Sequence, residues 1–156
     1  MDNLVRHLTE LGITEWIPFI AERSVSRPDK KRLASRMERW KKIAREAVKQ
    51  CKRSHIPDID TVLSFEELLH IGKAYDLKIV FWENETMNFA FPQLHDKQYH
   101  TIFVMLGPEG GFTSREIESA LASGFVTAAL GPRILRAETA TIAASALLQY
   151  LFGDMG

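Results

Sequence analysis

Thr101-Ile102-Phe103-Val104-Met105-Leu106-Gly107-Pro108-Glu109-Gly110-Gly111 decides the fold class of this chain. An apolar run of strand length passes directly into a turn built from Gly, Pro and Gly-Gly. Phe112 follows, and Thr113-Ser114-Arg115-Glu116 then opens a helical pattern. Strand, glycine turn and helix N-terminus in that order are how α/β proteins present backbone N–H groups to a ligand. A second junction comes soon after, with Phe125-Val126-Thr127-Ala128-Ala129-Leu130 running into Gly131-Pro132-Arg133-Ile134-Leu135-Arg136-Ala137-Glu138-Thr139-Ala140. Two junctions so close in sequence can sit side by side at the C-terminal edge of a parallel sheet, where such folds bind ligands.

Outward from these loops, the pattern alternates. Leu4, Val5, Leu8 and Leu11 share one helical face, stopped by Gly12. Residues 16–21 read as one buried strand, with Pro18 marking an edge or a start, and Glu22-Arg23-Ser24 falls at its C-terminal end. Ser26-x-x-Asp29 has the form of a helix N-cap, with Pro28 tolerable in the first turn. Leu33, Met37, Trp40, Ala44, Ala47 and Cys51 then recur at steps of four and three. Trp40 and Cys51 are therefore core candidates first. Lys41, Arg45, Lys49 and Lys52 form a basic stripe away from that seam. Residues 55–59 are extended ahead of and through Pro57. Ser64-x-x-Glu67 is a capping box for a short helix ending near Asp76, and residues 78–83 read as a buried strand. Residues 84–100 read as a long loop, of a length that tends to be functional or mobile. Thr113-x-x-Glu116 caps a helix closed by Gly124, and a last helix over 138–152 is rich in Ala. The alternation predicts an α/β fold with a mainly parallel sheet flanked by helices.

At 156 residues and 46% hydrophobic content, the chain reads as one soluble domain. No apolar run reaches the roughly 20 residues that span a bilayer, and no signal-peptide layout opens the chain. A single cysteine fits a reducing cytoplasm. The net charge of zero conceals an asymmetry: residues 22–53 hold 13 Lys/Arg against 4 Asp/Glu, and the remainder holds 7 against 16. Basic residues outside the helix, at Arg23, Arg27 and Arg53, favour a polyanionic partner over a merely solvated face.

Gly107-x-x-Gly110-Gly111 is neither the dinucleotide fingerprint nor a Walker loop. Taken alone it is a tight strand-to-helix turn. The second loop shifts that weighting, because Ile134-Leu135 between Arg133 and Arg136 suits an aromatic heterocycle clasped by backbone with polar groups at its rim. The 5 histidines show no metal-ligand spacing, so no metal is expected. Glu109 and Glu138 are either general bases or a turn residue and a helix N-terminal carboxylate.

With Leu130 to Ala140 beside Gly107-Pro108-Glu109-Gly110-Gly111-Phe112, the chain resembles the RsmE family of ribosomal RNA methyltransferases, part of the SPOUT superfamily of knotted enzymes. Glu10-Leu11-Gly12-Ile13, Glu22-Arg23-Ser24 and Arg39-Trp40-Lys42-Ile43-Ala44 with Glu46-Ala47 match that family's signatures too. The resemblance implies a C-terminal trefoil knot holding S-adenosylmethionine, methylation of N3 of a uridine in small-subunit ribosomal RNA, and a homodimer. It implies cofactor contacts from Leu106, Gly107, Pro108, Glu109, Gly110, Gly111, Leu130, Gly131, Ile134, Leu135, Arg136, Thr139 and Ala140. Arg23 and Arg136 are candidates to stabilise the uridylate, and Glu109 or Glu138 to accept its proton. RNA phosphates would meet Lys41, Arg45, Lys49, Lys52 and Arg53. Family members usually carry a PUA-like β-domain ahead of the catalytic domain, so the chain is expected to match the catalytic domain without it. A non-catalytic RNA-binding module and a knotted transfer-RNA ribose methyltransferase are the alternatives. Leu147, Leu148, Leu151 and Phe152 extend the apolar surface of the last helix, where the homodimer is expected to form.

Overall fold

The structure, a computed structural model, describes residues 1–24, 29–85 and 98–156. The expected loop over 84–100 lies mostly outside the described residues, as do Ser26 and Pro28. The chain forms two compact units: Met1–Pro18, Ser26–Leu63 and Ile142–Gly156 make the first, Phe19–Val25 and Ser64–Thr141 the second.

In the first unit, α1 (Asp2–Glu10) packs along α2 (Lys30–Cys51). Asp29 is the N-cap of α2, its carboxylate accepting from Arg32 N at 2.8 Å. Val5, Trp40, Ala44 and Ile59 form a buried cluster with Trp16, Met37 and Ile43 against it, and Trp16 meets Trp40 edge-on at 5.0 Å. Strand β1 (Glu15–Trp16) pairs in parallel with β3 (Asp58–Ile59). The single strand expected over 16–21 is instead divided into β1 and β2 (Phe19–Ile20). Pro18 sits at the division: it has no N–H to donate, and its carbonyl accepts from Leu63 N at 3.0 Å.

The second unit is built on three parallel strands, β5 (Leu77–Phe81), β6 (Ile102–Leu106) and β7 (Val126–Ala128), in the order β6-β5-β7; β4 (Leu63–Ser64) comes earlier in the chain. Central β5 is buried almost throughout, whereas edge strand β6 alternates, as expected of a strand paired on both sides and one paired on one. The sheet's amino end is bracketed by Asp76 and Thr101. Asp76 N donates to Thr101 Oγ1, and its carboxylate accepts from His100 N and Thr101 N at 2.9 Å each.

Two helices of this unit start with complete capping boxes: α3 (Phe65–Gly72) on Ser64 and Glu67, and α4 (Ser114–Ala122) on Thr113 and Glu116. Gly124, at φ +82, ends α4 with the paired bonds Gly124 N to Leu121 O and Phe125 N to Ala120 O of a Schellman motif. Helix α5 (Ala137–Phe152) has its first turn in the second unit and the rest in the first.

Candidate active site

Parallel pairing carries Phe81 into register with both Leu106 and Ala128. The segments after β5, β6 and β7 therefore leave the same edge of the sheet. The two strands that lead into the glycine loops, β6 and β7, are not adjacent in the sheet, so the two junctions do not sit on neighbouring strands. Strand β5 lies between them, placing the ends of β6 and β7 about 10 Å apart at strand spacing. The chain passes from β5 to β6 on one side and from β6 to β7 on the other, so the winding direction reverses at β5. Open α/β sheets bind ligands outside the strand ends at such a reversal. Trp82 N donates to Ala128 O at 3.0 Å, extending the ladder one residue beyond β5.

The first loop, 107–113, is tied from below and from one side. Phe112 is buried and packs on Phe19 and Phe65, with ring centroids 6.1 and 5.8 Å away. Gly111 N donates to Pro108 O at 2.9 Å, and Gly111 adopts φ +67. A Cβ at Gly111 would overlap the Glu83 carboxylate. A Cβ at Gly110 would stand 2.9 Å from Arg23 Cβ and 3.1 Å from Arg23 O. Both glycines are required by close approach, not merely by the turn.

Arg23 reaches this loop from the turn that follows β2. The 21–24 turn is closed by Ser24 N to Ala21 O at 3.1 Å and Ala21 N to Ser24 Oγ at 3.0 Å. Arg23 Nη1 donates to Gly110 O at 3.2 Å. Glu22 N donates to Glu116 Oε1 at 2.9 Å, and Thr113 Oγ1 donates to the Glu22 carboxylate at 3.3 Å.

The second loop is open. Gly131 adopts φ +83, Arg133 and Arg136 are exposed, and Ile134 between them is 85% exposed. Arg136 O accepts from Ala140 N at 2.8 Å and so begins α5, whose first turn presents Glu138 and Thr139 at the surface. Leu130, Leu135 and Ala140 are half-buried. In the first loop, Leu106, Gly107 and Pro108 are half-buried and Glu109 is exposed.

The sequence reading missed two residues. In the sequence Glu83 is only a strand end, yet it stands against Gly111 at the end of the central strand. In the sequence Glu116 is only a capping carboxylate, and no local signal announces its long-range bond to Glu22. The basic stripe lies in the other unit. Arg45, Lys49 and Lys52 are exposed and Lys41 is half-buried. Lys49 pairs with Glu46 at 3.2 Å, an exposed contact of the kind worth about 0–1 kcal/mol. Arg53, expected among the RNA contacts, is engaged elsewhere. Its guanidinium donates to Thr9 O at 2.6 Å and to Ile13 O and Gly12 O at 3.1 Å each, satisfying carbonyls around the C-terminal end of α1. Among the described residues, no three His, Cys, Asp or Glu side chains gather as metal ligands, and no helix is long and apolar enough to cross a membrane.

Glycine loops after strands on either side of a winding reversal, with an arginine fastened to one of them, define an α/β domain of the arrangement in which small ligands bind at the carboxyl edge of the sheet. The chain belongs to the family of the RNA methyltransferase domain, whose model matches residues 1–149. It is 37% identical over 155 residues to the ribosomal RNA small subunit methyltransferase E of Bacillus subtilis, covering 96% of this chain and 60% of that protein. Identity to the protein of the same name from Mesomycoplasma hyopneumoniae is 34%, over 88% of this chain and 59% of the relative. A crystal structure of ribosomal RNA small subunit methyltransferase E from Neisseria gonorrhoeae, bound to S-adenosyl methionine, superposes with a TM-score of 0.88. That likeness has 34% identity and covers 100% of this chain and 62% of the other. The chain thus spans about three-fifths of the length of these relatives.

Proposed function

We propose that this chain is the catalytic domain of an S-adenosylmethionine-dependent methyltransferase acting on N3 of a uridine in small-subunit ribosomal RNA. The observation that carries the proposal is Arg23 Nη1 on the Gly110 carbonyl, which sets a cation on a glycine loop at the winding reversal. The residues present fit the cofactor: close-approach glycines at 110 and 111, left-handed backbone at Gly111 and Gly131, and an exposed Ile134. Residues 106–111 and 130–131, with Ile134, Leu135, Arg136, Thr139 and Ala140, would hold it.

S-adenosylmethionine supplies the activated methyl group. The protein's part is alignment of the uridine nitrogen with that group and removal of the imide proton. Arg23 spends one N–H on Gly110 and keeps others of its five donors for the developing uridylate. Arg136 stands at the start of α5 as the second cation. Glu109 and Glu138, both exposed, are the candidates to take the proton. Lys41, Arg45, Lys49 and Lys52 would bind RNA phosphates. A trefoil knot, a homodimer and a cytoplasmic location belong to the same proposal, on the family resemblance.

The test is methyl transfer from labelled S-adenosylmethionine to purified small ribosomal subunits and to free transfer RNA, with the product mapped by mass spectrometry. Label on uridine N3 of the small-subunit RNA is the expected result. Binding of S-adenosylmethionine without transfer would reduce the chain to an RNA-binding module, and label on transfer-RNA ribose would move it to another substrate.

A further inference from the structure

We infer that Glu116 is a positioning residue for methyl transfer, its buried carboxylate setting where Arg23 stands on the glycine loop. The inference rests on the methyltransferase reading above. The two capping boxes of the second unit provide the comparison. At α3, the exposed Glu67 bonds, among the described residues, within its own box, accepting from Ser64 N at 2.7 Å. At α4, Glu116 is 7% exposed and both of its oxygens are used. Oε2 accepts from Thr113 N at 2.9 Å, and Glu116 N donates to Thr113 Oγ1 at 3.3 Å, which completes the box. Oε1 accepts from Glu22 N at 2.9 Å, across 94 residues of sequence.

Capping alone is served equally by Gln, and burying a carboxylate is costly unless its lone pairs are satisfied. The second oxygen has a separate use: it fastens the 21–24 turn to the start of α4. Thr113 Oγ1 to the Glu22 carboxylate, at 3.3 Å, is a second tie between the same two segments. Arg23 is the next residue, and its position on Gly110 follows from that anchor. Gln at 116 has one acceptor oxygen for two backbone N–H groups, so its amide NH2 must face one of them.

The experiment is a double-mutant cycle in the purified chain, with Glu116→Gln, Arg23→Ala and the double variant assayed on small subunits. Glu116→Gln should lower kcat about tenfold or more, because misplacement of a catalytic group costs rate steeply. KM for S-adenosylmethionine should stay within about twofold, since uniform cofactor binding is retained. In the Arg23→Ala background the same substitution should cost nothing further, because residues acting as a unit are non-additive. Glu67→Gln should leave kcat unchanged. If Glu116→Gln does not fold, Glu116→Asp, which keeps the charge but shortens the reach, takes its place in the cycle. A loss that persists in full without Arg23, or a raised KM with unchanged kcat, overturns the inference while leaving the activity standing. A wild-type chain that binds S-adenosylmethionine but transfers nothing overturns the activity and this inference together.

Discussion

Gly111 concentrates the demands of the site in one residue. Its φ of +67 is left-handed, and a Cβ there would overlap the Glu83 carboxylate. Gly111→Ala is expected to lower unfolding free energy by about 1–3 kcal/mol, from the left-handed backbone and the crowding. S-adenosylmethionine affinity should fall about tenfold or more as Glu83 and the loop separate. Adding Glu83→Ala should recover the steric part of the loss and leave the backbone part. Urea melts and calorimetry on the same preparations check both, and unchanged affinity in folded Gly111→Ala would remove this loop from the cofactor site. The need for glycine at 111 was legible in the sequence as a turn. Its partner was not, because residues 83 and 111 meet only through the pairing of β5 with β6. Arg53 makes the same point in reverse, since charge and spacing cannot tell a phosphate ligand from a cation that binds the carbonyls closing α1.

The strands and helices carry their own chemistry. Asp76 joins the amino ends of β5 and β6, and the backbone N–H groups of Thr101 and His100 hold its carboxyl below the ordinary carboxylate range. A carboxyl depressed in the native state stabilises the fold wherever the unfolded chain would also be ionised, above about pH 4. That contribution is lost as pH falls through the native value. Asp76→Ala should therefore be less stable than wild type at pH 7, and the difference should narrow on acidification below about pH 4. Urea midpoints at pH 7 and pH 3 measure it, and a constant difference would remove Asp76 from the linkage. Glu67 is lowered in the same sense by the Ser64 backbone N–H and then its hydroxyl, so the same pH window holds for the cap of α3. For α2, changing Lys41, Arg45 and Lys49 together to Glu should weaken RNA binding and flatten its logarithmic salt slope by roughly 2–3, as fewer counterions are released. Cofactor affinity should not move. Filter binding across a salt series decides the matter, and an unaltered slope would make the stripe a solvated face.

At the scale of the whole molecule, the expected two-fold pairing must use the outer side of α5. Ala144 is 0% exposed and Leu148 is buried within the single chain, so an arginine at 144 would unfold the protein rather than separate copies. Leu147 and Leu151 are half-buried and Tyr150 is exposed, at spacings that place them on one helical face. Wild type should sediment as a dimer at micromolar concentration, and Leu151→Arg as a folded monomer. A monomeric wild type would end the dimer proposal. What the sequence determined by itself lies within a few residues along the chain: the two capping boxes, the Gly124 stop, the amphipathic seam of α2 and the strand-to-glycine junctions. Caps, turns and periodic faces are interactions between near neighbours, so their partners can be read off in order. What only the tertiary structure decided is the insertion of β5 between β6 and β7, the break of the 16–21 strand at Pro18, and the distant partners of Glu116, Gly111 and Arg53. Several strand orders satisfy the same alternation of strands and helices, and a hydrogen bond across 94 residues exists only after packing has selected one of them.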